Sequence, residues 1–257
     1  MLAIYKKELR SYFINPIGYV FVGVYLTLSA LLFAYTTIQS GTYSTTTYYT
    51  MTVFALAIFI PLLTMRSFAE ERKMRTEQLL LTSPVSVTSM VLGKFLAVIT
   101  VACGSFLATS INLLPLSISG AAARAGESYT ARHIGVVPSK VLGCIIGIIL
   151  ISCVFAAIGI FISSLTENQL AAAVSTMGVI VVMVVISFLN MIGSDADGTR
   201  LVGNAFLRGV IDWISVLSRF SSFSAGKLAF ADVLYYVSMT FIFLLLTVRV
   251  YDKRRYS

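Results

Sequence analysis

The sequence predicts an all-α polytopic membrane protein, and three observations carry that prediction. Of its 257 residues 58% are hydrophobic and only 12% are charged, the mean hydropathy is +0.90, and the apolar residues gather into six runs. Each run is near the roughly 20 residues a helix needs to cross about 30 Å of hydrocarbon. Such a composition lies outside that of soluble domains. No stretch between the runs is long or polar enough for a separate soluble domain, so residues 1–257 are read as one transmembrane domain.

Ahead of the first run, Leu2, Tyr5, Leu9, Tyr12 and Phe13 fall within about 100° of one helical face, with Lys6, Lys7 and Arg10 beside them. This predicts an amphipathic interfacial helix on the inner leaflet, ended near Asn15-Pro16; the plainer reading is a basic flank of a span. The first span covers about 17–38. Three cations before an apolar run resemble a secretory signal, but a run of about 22 residues exceeds a signal core and no small-residue cleavage site follows it.

The second and third spans are placed at 48–65 and 95–119. Pro61 and Pro115 fall inside them, where a missing amide predicts bends rather than ends. Between these spans lies the one strongly charged segment. Glu71 precedes Arg75 by four positions, Glu70 precedes Lys73 by three and Lys73 precedes Glu77 by four, so ion pairs of a few tenths of a kcal/mol each can lace one face of a helix. Arg72 and Thr76 share this segment, Leu79, Leu80 and Leu81 give it an apolar end, and Thr82-Ser83-Pro84 stops it. One helix from Glu70 to Thr82 is predicted. Charge pattern alone fits a solvated loop helix as well as a partner-docking helix.

The fourth span, 141–165, carries Gly143-x-x-x-Gly147, a spacing that suits close helix approach, within one subunit in preference to dimerisation. The fifth covers 170–192. In the loop after it Val210, Ile211, Trp213, Ile214, Leu217 and Phe220 form an apolar stripe, with Asp212 and Arg219 off it, and the single Trp213 suits a membrane–water boundary. The sixth, 231–248, is the weakest, because Asp232 and Arg249 leave only sixteen residues between them.

Orientation follows the distribution of Lys and Arg. With both termini in the cytoplasm, Lys6, Lys7, Arg10, Arg66, Arg72, Lys73, Arg75, Lys94, Arg249, Lys253, Arg254 and Arg255 lie inside. Arg124, Arg132, Lys140, Arg200, Arg208, Arg219 and Lys227 lie outside, in the longer loops. The expectation is a multi-pass protein of the cell (inner) membrane with both termini cytoplasmic. The formal net charge of +8 then matches anionic lipid head groups. The aromatics sit in or beside the spans, so nucleic acid is not expected as a partner.

Enzymatic readings find little to stand on. His133 has no second His or Cys near it in sequence to complete a metal site, and Cys103, Cys144 and Cys153 fall inside spans as small hydrophobes. No Gly-x-x-x-x-Gly-Lys-[Ser/Thr] loop is present to cradle phosphates; Gly93-Lys94 and Gly226-Lys227 are bare dipeptides. No predicted span has a charged residue in its middle, which weighs against an ion-coupled secondary transporter. The midspan polar groups are Ser105, Thr109, Ser110 and Asn112 in the third span and Ser175, Thr176, Ser187 and Asn190 in the fifth. They either pack helices and bond to backbone carbonyls or line a weakly polar passage at a dimer interface, for which the fifth span, with Ser175, Thr176, Ser187 and Asn190, is the first candidate.

The stretch Phe68-Ala-Glu-Glu-Arg-Lys…Thr76-Glu-Gln-Leu-Leu-Leu-Thr-Ser-Pro84-Val-Ser, followed by Val91-Leu-Gly-Lys-Phe-Leu-Ala97, resembles the ABC-2 family of transporter permeases. It is most similar to the branch of gliding-motility permeases and of the permease partner in copper insertion into nitrous oxide reductase. Tyr5-Lys-Lys-Glu-Leu-Arg-Ser-Tyr-Phe…Pro16 and Asp232-Val-Leu-Tyr-Tyr…Arg254-Arg255 fit the same pattern, so the resemblance covers nearly the whole chain. It implies a permease that pairs with a second one, identical or different. It further implies that two ABC ATPase subunits, bringing ATP and Mg, dock on the connector at Glu70, Glu71, Arg72, Lys73, Arg75, Thr76, Glu77, Leu79, Leu80, Thr82 and Pro84. The resemblance also implies that the helix of Lys6, Lys7 and Arg10 braces that connector, that short helices between spans five and six re-enter the outer membrane surface, and that this chain itself is expected to bind no cofactor and to be non-catalytic. The stroke then drives export, or mechanical signalling to an extracytoplasmic partner. An ion-coupled transporter or an ATPase-free membrane scaffold is the alternative. One departure stands out: many relatives have Gly where this chain has Arg75, which predicts a more continuous helix.

Overall fold

The computed structural model describes residues 1–39, 45–75, 86–115, 138–192 and 215–256, and these contain no strand. Helix α1 (Leu2–Ile14) turns at Asn15 into α2 (Pro16–Phe33), which runs on as a π-helical stretch, Ala34–Gln39. α3 (Thr45–Thr64) is followed, after Met65, by the short α4 (Arg66–Lys73). α5 (Val87–Ala108) passes into a 3-10 turn, Thr109–Leu113. α6 (Pro138–Leu165), α7 (Gln169–Ile192), α8 (Val216–Ser224) and α9 (Phe230–Tyr256) follow. Six of these helices are long and apolar enough to cross a membrane, one for each predicted run, and the chain is a multi-pass membrane protein.

Local chemistry explains the boundaries. Pro16 sits at the first turn of α2, where its missing amide costs nothing. Ser86 caps α5 by accepting the Ser89 amide, in the manner of an N-cap hydroxyl. α3 continues through Pro61 and ends three residues later, whereas the α-helical part of α5 gives way to a 3-10 turn ahead of Pro115.

Two boundaries differ from expectation. The third span begins at Val87, not at 95, so Lys94 lies two turns inside it, buried. In sequence a charge marks the end of an apolar span; in the fold Glu8 and Glu71 supply its counter-ions. The connector also fails to form one helix from Glu70 to Thr82. α4 begins at Arg66, four residues earlier, and stops at Lys73, and Arg75 has φ 55°. That left-handed conformation cannot continue a helix and suits glycine better than any other residue, so Arg75 ends the helix instead of extending it. Thr76, Glu77, Leu79, Leu80, Thr82 and Pro84 lie outside the described residues.

α6 is the axis of the bundle: it packs against α3, α4, α5, α7, α8 and α9, and Ile148, Ile151, Val154, Phe155, Ala156, Ala157 and Ile160 along it are fully buried. Two crossings are closed by missing side chains. A Cβ on Gly159 would run into the Thr64 hydroxyl of α3, and one on Gly143 into the Phe223 carbonyl of α8, with the Phe220 ring 3.0 Å from a Cβ on Gly147. The Gly143/Gly147 pair therefore seats α8 within the subunit. Leu217 and Phe220, the described part of the predicted stripe, pack into the core there; Val210, Ile211, Trp213 and Ile214 lie outside the described residues.

The weak sixth span holds because its acid is answered. Asp232, buried in the first turn of α9, accepts from Arg219 Nη1 of α8 at 3.2 Å, and the same guanidinium lies 4.2 Å from the Tyr235 ring. Toward this end of the bundle Ser29 and Tyr48 share a 2.8 Å hydrogen bond, and Asn112 Nδ2 donates to Ser29 at 3.0 Å, tying α2, α3 and the 3-10 turn together.

Candidate functional site

At the opposite end every neighbouring element converges on α4. Its N-cap residue, Met65, offers no side-chain acceptor, which leaves amides of the first turn without an intrahelical partner. Ser163 of α6 fills the gap: its hydroxyl accepts from the Phe68 and Ala69 amides, each at 3.2 Å, and donates to the Met65 carbonyl at 3.3 Å. The cap of α4 is thus borrowed from another helix. Phe68 is 1% exposed, its ring 4.5 Å from that of Tyr251 in α9 and 4.8 Å from Lys94 Nζ of α5.

Lys94 is the centre of the junction. Its side chain is 1% exposed, and its ammonium meets Glu8 of α1 at 3.0 Å and Glu71 of α4 at 2.9 Å while donating to the Ser67 carbonyl. An isolated buried ammonium costs several kcal/mol to desolvate; two carboxylates and a carbonyl offset that cost. Glu71 is also 3.7 Å from Lys7. Around this centre Arg66 clamps Glu70 through two bonds, 2.7 and 3.0 Å, and Arg72 reaches Glu167, between α6 and α7, at 3.0 Å. Tyr12 donates to the Leu63 carbonyl at 2.9 Å; burial pushes its phenol well above the ordinary range, so it stays a neutral donor.

The predicted site residues separate into groups. Glu71 and Arg72 reach neighbouring elements and Glu70 pairs within α4 with Arg66, whereas Lys73 and Arg75, with Met74 between them, are exposed at the tip of α4. Lys6, Lys7 and Arg10 are exposed on α1. Tyr5, Leu9 and Tyr12 of the expected apolar face do pack inward, joined there by Ile4 and Glu8, which rotates the buried side by roughly 60° at about 100° per residue; Leu2 and Phe13 point outward. The rotation follows from Glu8 joining Lys94 and from Ile4 packing on Gly93, where a Cβ would lie 3.1 Å from it. In α7, Ser175 is exposed, while Thr176 and Ser187 are buried and donate to the carbonyls of Ala172 and Met183. Ser187 also accepts the Leu217 amide of α8. The side chain of Asn190 lies outside the described residues.

Sequence reasoning missed Glu8, Lys94, Ser163 and Glu167 as members of one site. The available signal was a lysine amid apolar residues in Val91-Leu-Gly-Lys-Phe-Leu-Ala97, which demands counter-charge from elsewhere; nothing local names Glu8, 86 positions away. Among the described residues no group of His, Cys, Asp or Glu is arranged to hold a metal ion. The junction holds α1, α4, α5, α6 and α9 to one another, with α3 joined through Leu63 and Tyr12.

A family model described as ABC-2 family transporter protein matches residues 27–251. The match includes α4, Lys94, Ser163 and Glu167 but begins after α1. No curated protein matches the chain.

Proposed function

The chain belongs to the ABC-2 transporter family, and from that premise we propose that it is the non-catalytic permease subunit of an ABC transporter, driven by ATP hydrolysis in separate ATPase chains. The observation that carries the proposal is the seating of α4. A segment fixed by Ser163, Lys94, Glu8 and Tyr251 to four other helices passes any displacement of its exposed Lys73–Arg75 end to all of them at once. The exposed Lys73, Met74 and Arg75, with the charged and leucine-rich residues after them, form the surface on which two cytoplasmic ATPase copies dock. ATP and Mg bind in those partners. Both termini then face the cytoplasm, as the excess of Lys and Arg at that end requires. A second permease, identical or different, covers the outward face of α7, where Leu170, Val174 and Val182 are exposed beside Ser175, and the stroke is spent on export or on moving an extracytoplasmic partner.

Purification of the tagged chain in mild detergent tests the assembly. A P-loop ATPase recovered in about equal amount, with ATP hydrolysis in the eluate, is expected; permease alone across several detergents overturns the reading. Docking itself is tested by Lys73→Glu combined with Arg75→Glu. Both side chains are exposed, so the variant keeps its monodisperse elution and loses the ATPase. Undiminished association would remove this tip from the docking surface.

A further inference from the structure

We infer that the outward face of α1 is a docking surface for the headgroups of anionic phospholipids. Rotation of the helix to bury Glu8 has a second result: the only acid of α1 leaves the surface, and what remains outside is a single arc bearing Lys6, Lys7 and Arg10 among Leu2, Phe13 and Ile14. Leu2 is 69% and Ile14 68% exposed. An arc that is wholly cationic in its charges and strongly apolar in the rest matches neither bulk water nor a bilayer core; it matches the headgroup boundary, where alkyl groups enter the acyl region and cations meet phosphates. Lys6, Lys7 and Arg10 also border one open depression with Leu9, Phe13 and Ile14, so cationic and apolar groups adjoin along the same surface.

The charge of this arc is not spent inside the protein. Among the described residues Lys6 and Arg10 have no carboxylate partner, and Lys7 reaches Glu71 only at 3.7 Å with 64% of its side chain exposed. A pair that long and that open contributes little, so Lys7 is available to a lipid phosphate while remaining next to the carboxylate that holds Lys94. Lipid occupancy would therefore act on the junction through Lys7 and Glu71. This last clause rests on the coupling role assigned to α4; the lipid site itself rests only on the geometry of α1.

The test is native mass spectrometry of the full chain released from nanodiscs that contain phosphatidylglycerol and phosphatidylcholine. Wild type is compared with Lys6→Gln/Arg10→Gln, which leaves Lys7 and the junction untouched, and with Lys253→Gln/Arg255→Gln at the end of α9, which removes equal charge. The expected result is a several-fold loss of retained phosphatidylglycerol in the α1 variant, with retention in the α9 variant close to wild type and excess inorganic phosphate unable to displace the lipid. Equal loss in both variants would reduce the effect to net charge and overturn the site. Displacement by inorganic phosphate alone would replace the lipid with a free anion and overturn it equally. ATPase recovery from the same preparations separates failure of this site from failure of the coupling reading.

Discussion

Lys94 shows how a single side chain can mislead a reading of sequence and then organise a structure. A charge inside an apolar run marks a span boundary by default, because its isolated burial is prohibitive; here Glu8 and Glu71, brought from two other helices, make it tolerable. The same arithmetic gives a prediction. Lys94→Met leaves two carboxylates facing each other in a buried site, and breaking a buried pair in this way costs about 3–5 kcal/mol. Thermal unfolding in detergent should show a large loss, and adding Glu8→Gln and Glu71→Gln to the methionine variant should restore most of it, since a neutral junction carries no unpaired charge. A small effect of Lys94→Met alone would mean that water reaches the site. Arg75 misled in the opposite direction: side-chain propensity suggested a longer helix, and the backbone took the left-handed turn that ends one.

At the scale of elements the six spans were legible, because each needs only length and apolarity, and the structure returns all six. An end was legible where proline marks it, as at Pro16; the start of the third span, capped by Ser86, was not, because Lys94 stood for its boundary. The face of α1 was legible at Tyr5, Leu9 and Tyr12 but not at Glu8, since hydrophobicity ranked Leu2 and Phe13 above Glu8 for burial, and the partner of Glu8 was hidden in the third span. Likewise the seat of α8 was only half legible: Gly143 and Gly147 announced close packing without naming what packs. Gly143→Ala tests the assignment. Its methyl group meets the Phe223 backbone carbonyl, which no rotamer can move aside, so a loss of about 1–3 kcal/mol is expected from overpacking. Light scattering of the same sample should show an unchanged oligomeric state; a shift in mass at constant stability would reassign the pair to an interface between subunits.

The whole molecule is two differently built ends joined by α6. Near one, a hydroxyl–amide network of Ser29, Tyr48 and Asn112 and the Arg219–Asp232 pair hold α2, α3, α8 and α9; at the other, ions and a borrowed cap hold α4. If the charged end moves as one body, the Phe68 and Ala69 amides should exchange with deuterium as slowly as those in the middle of α6. Rapid exchange, as in a solvated loop, would dissolve the junction into separate parts. Ser163→Ala is expected to speed exchange at both amides, since loss of a helix cap costs about 0.5–2 kcal/mol.

That borrowed cap has a bearing on inhibition. Eight residues are far below the roughly 12–15 that sustain an isolated helix in water, and α4 lacks even its own terminal acceptor. Outside the protein the segment has no shape of its own, so a synthetic peptide copying 66–75 would make a poor decoy. A molecule meant to block this surface must be selected against the intact chain, where Ser163 gives the epitope its form.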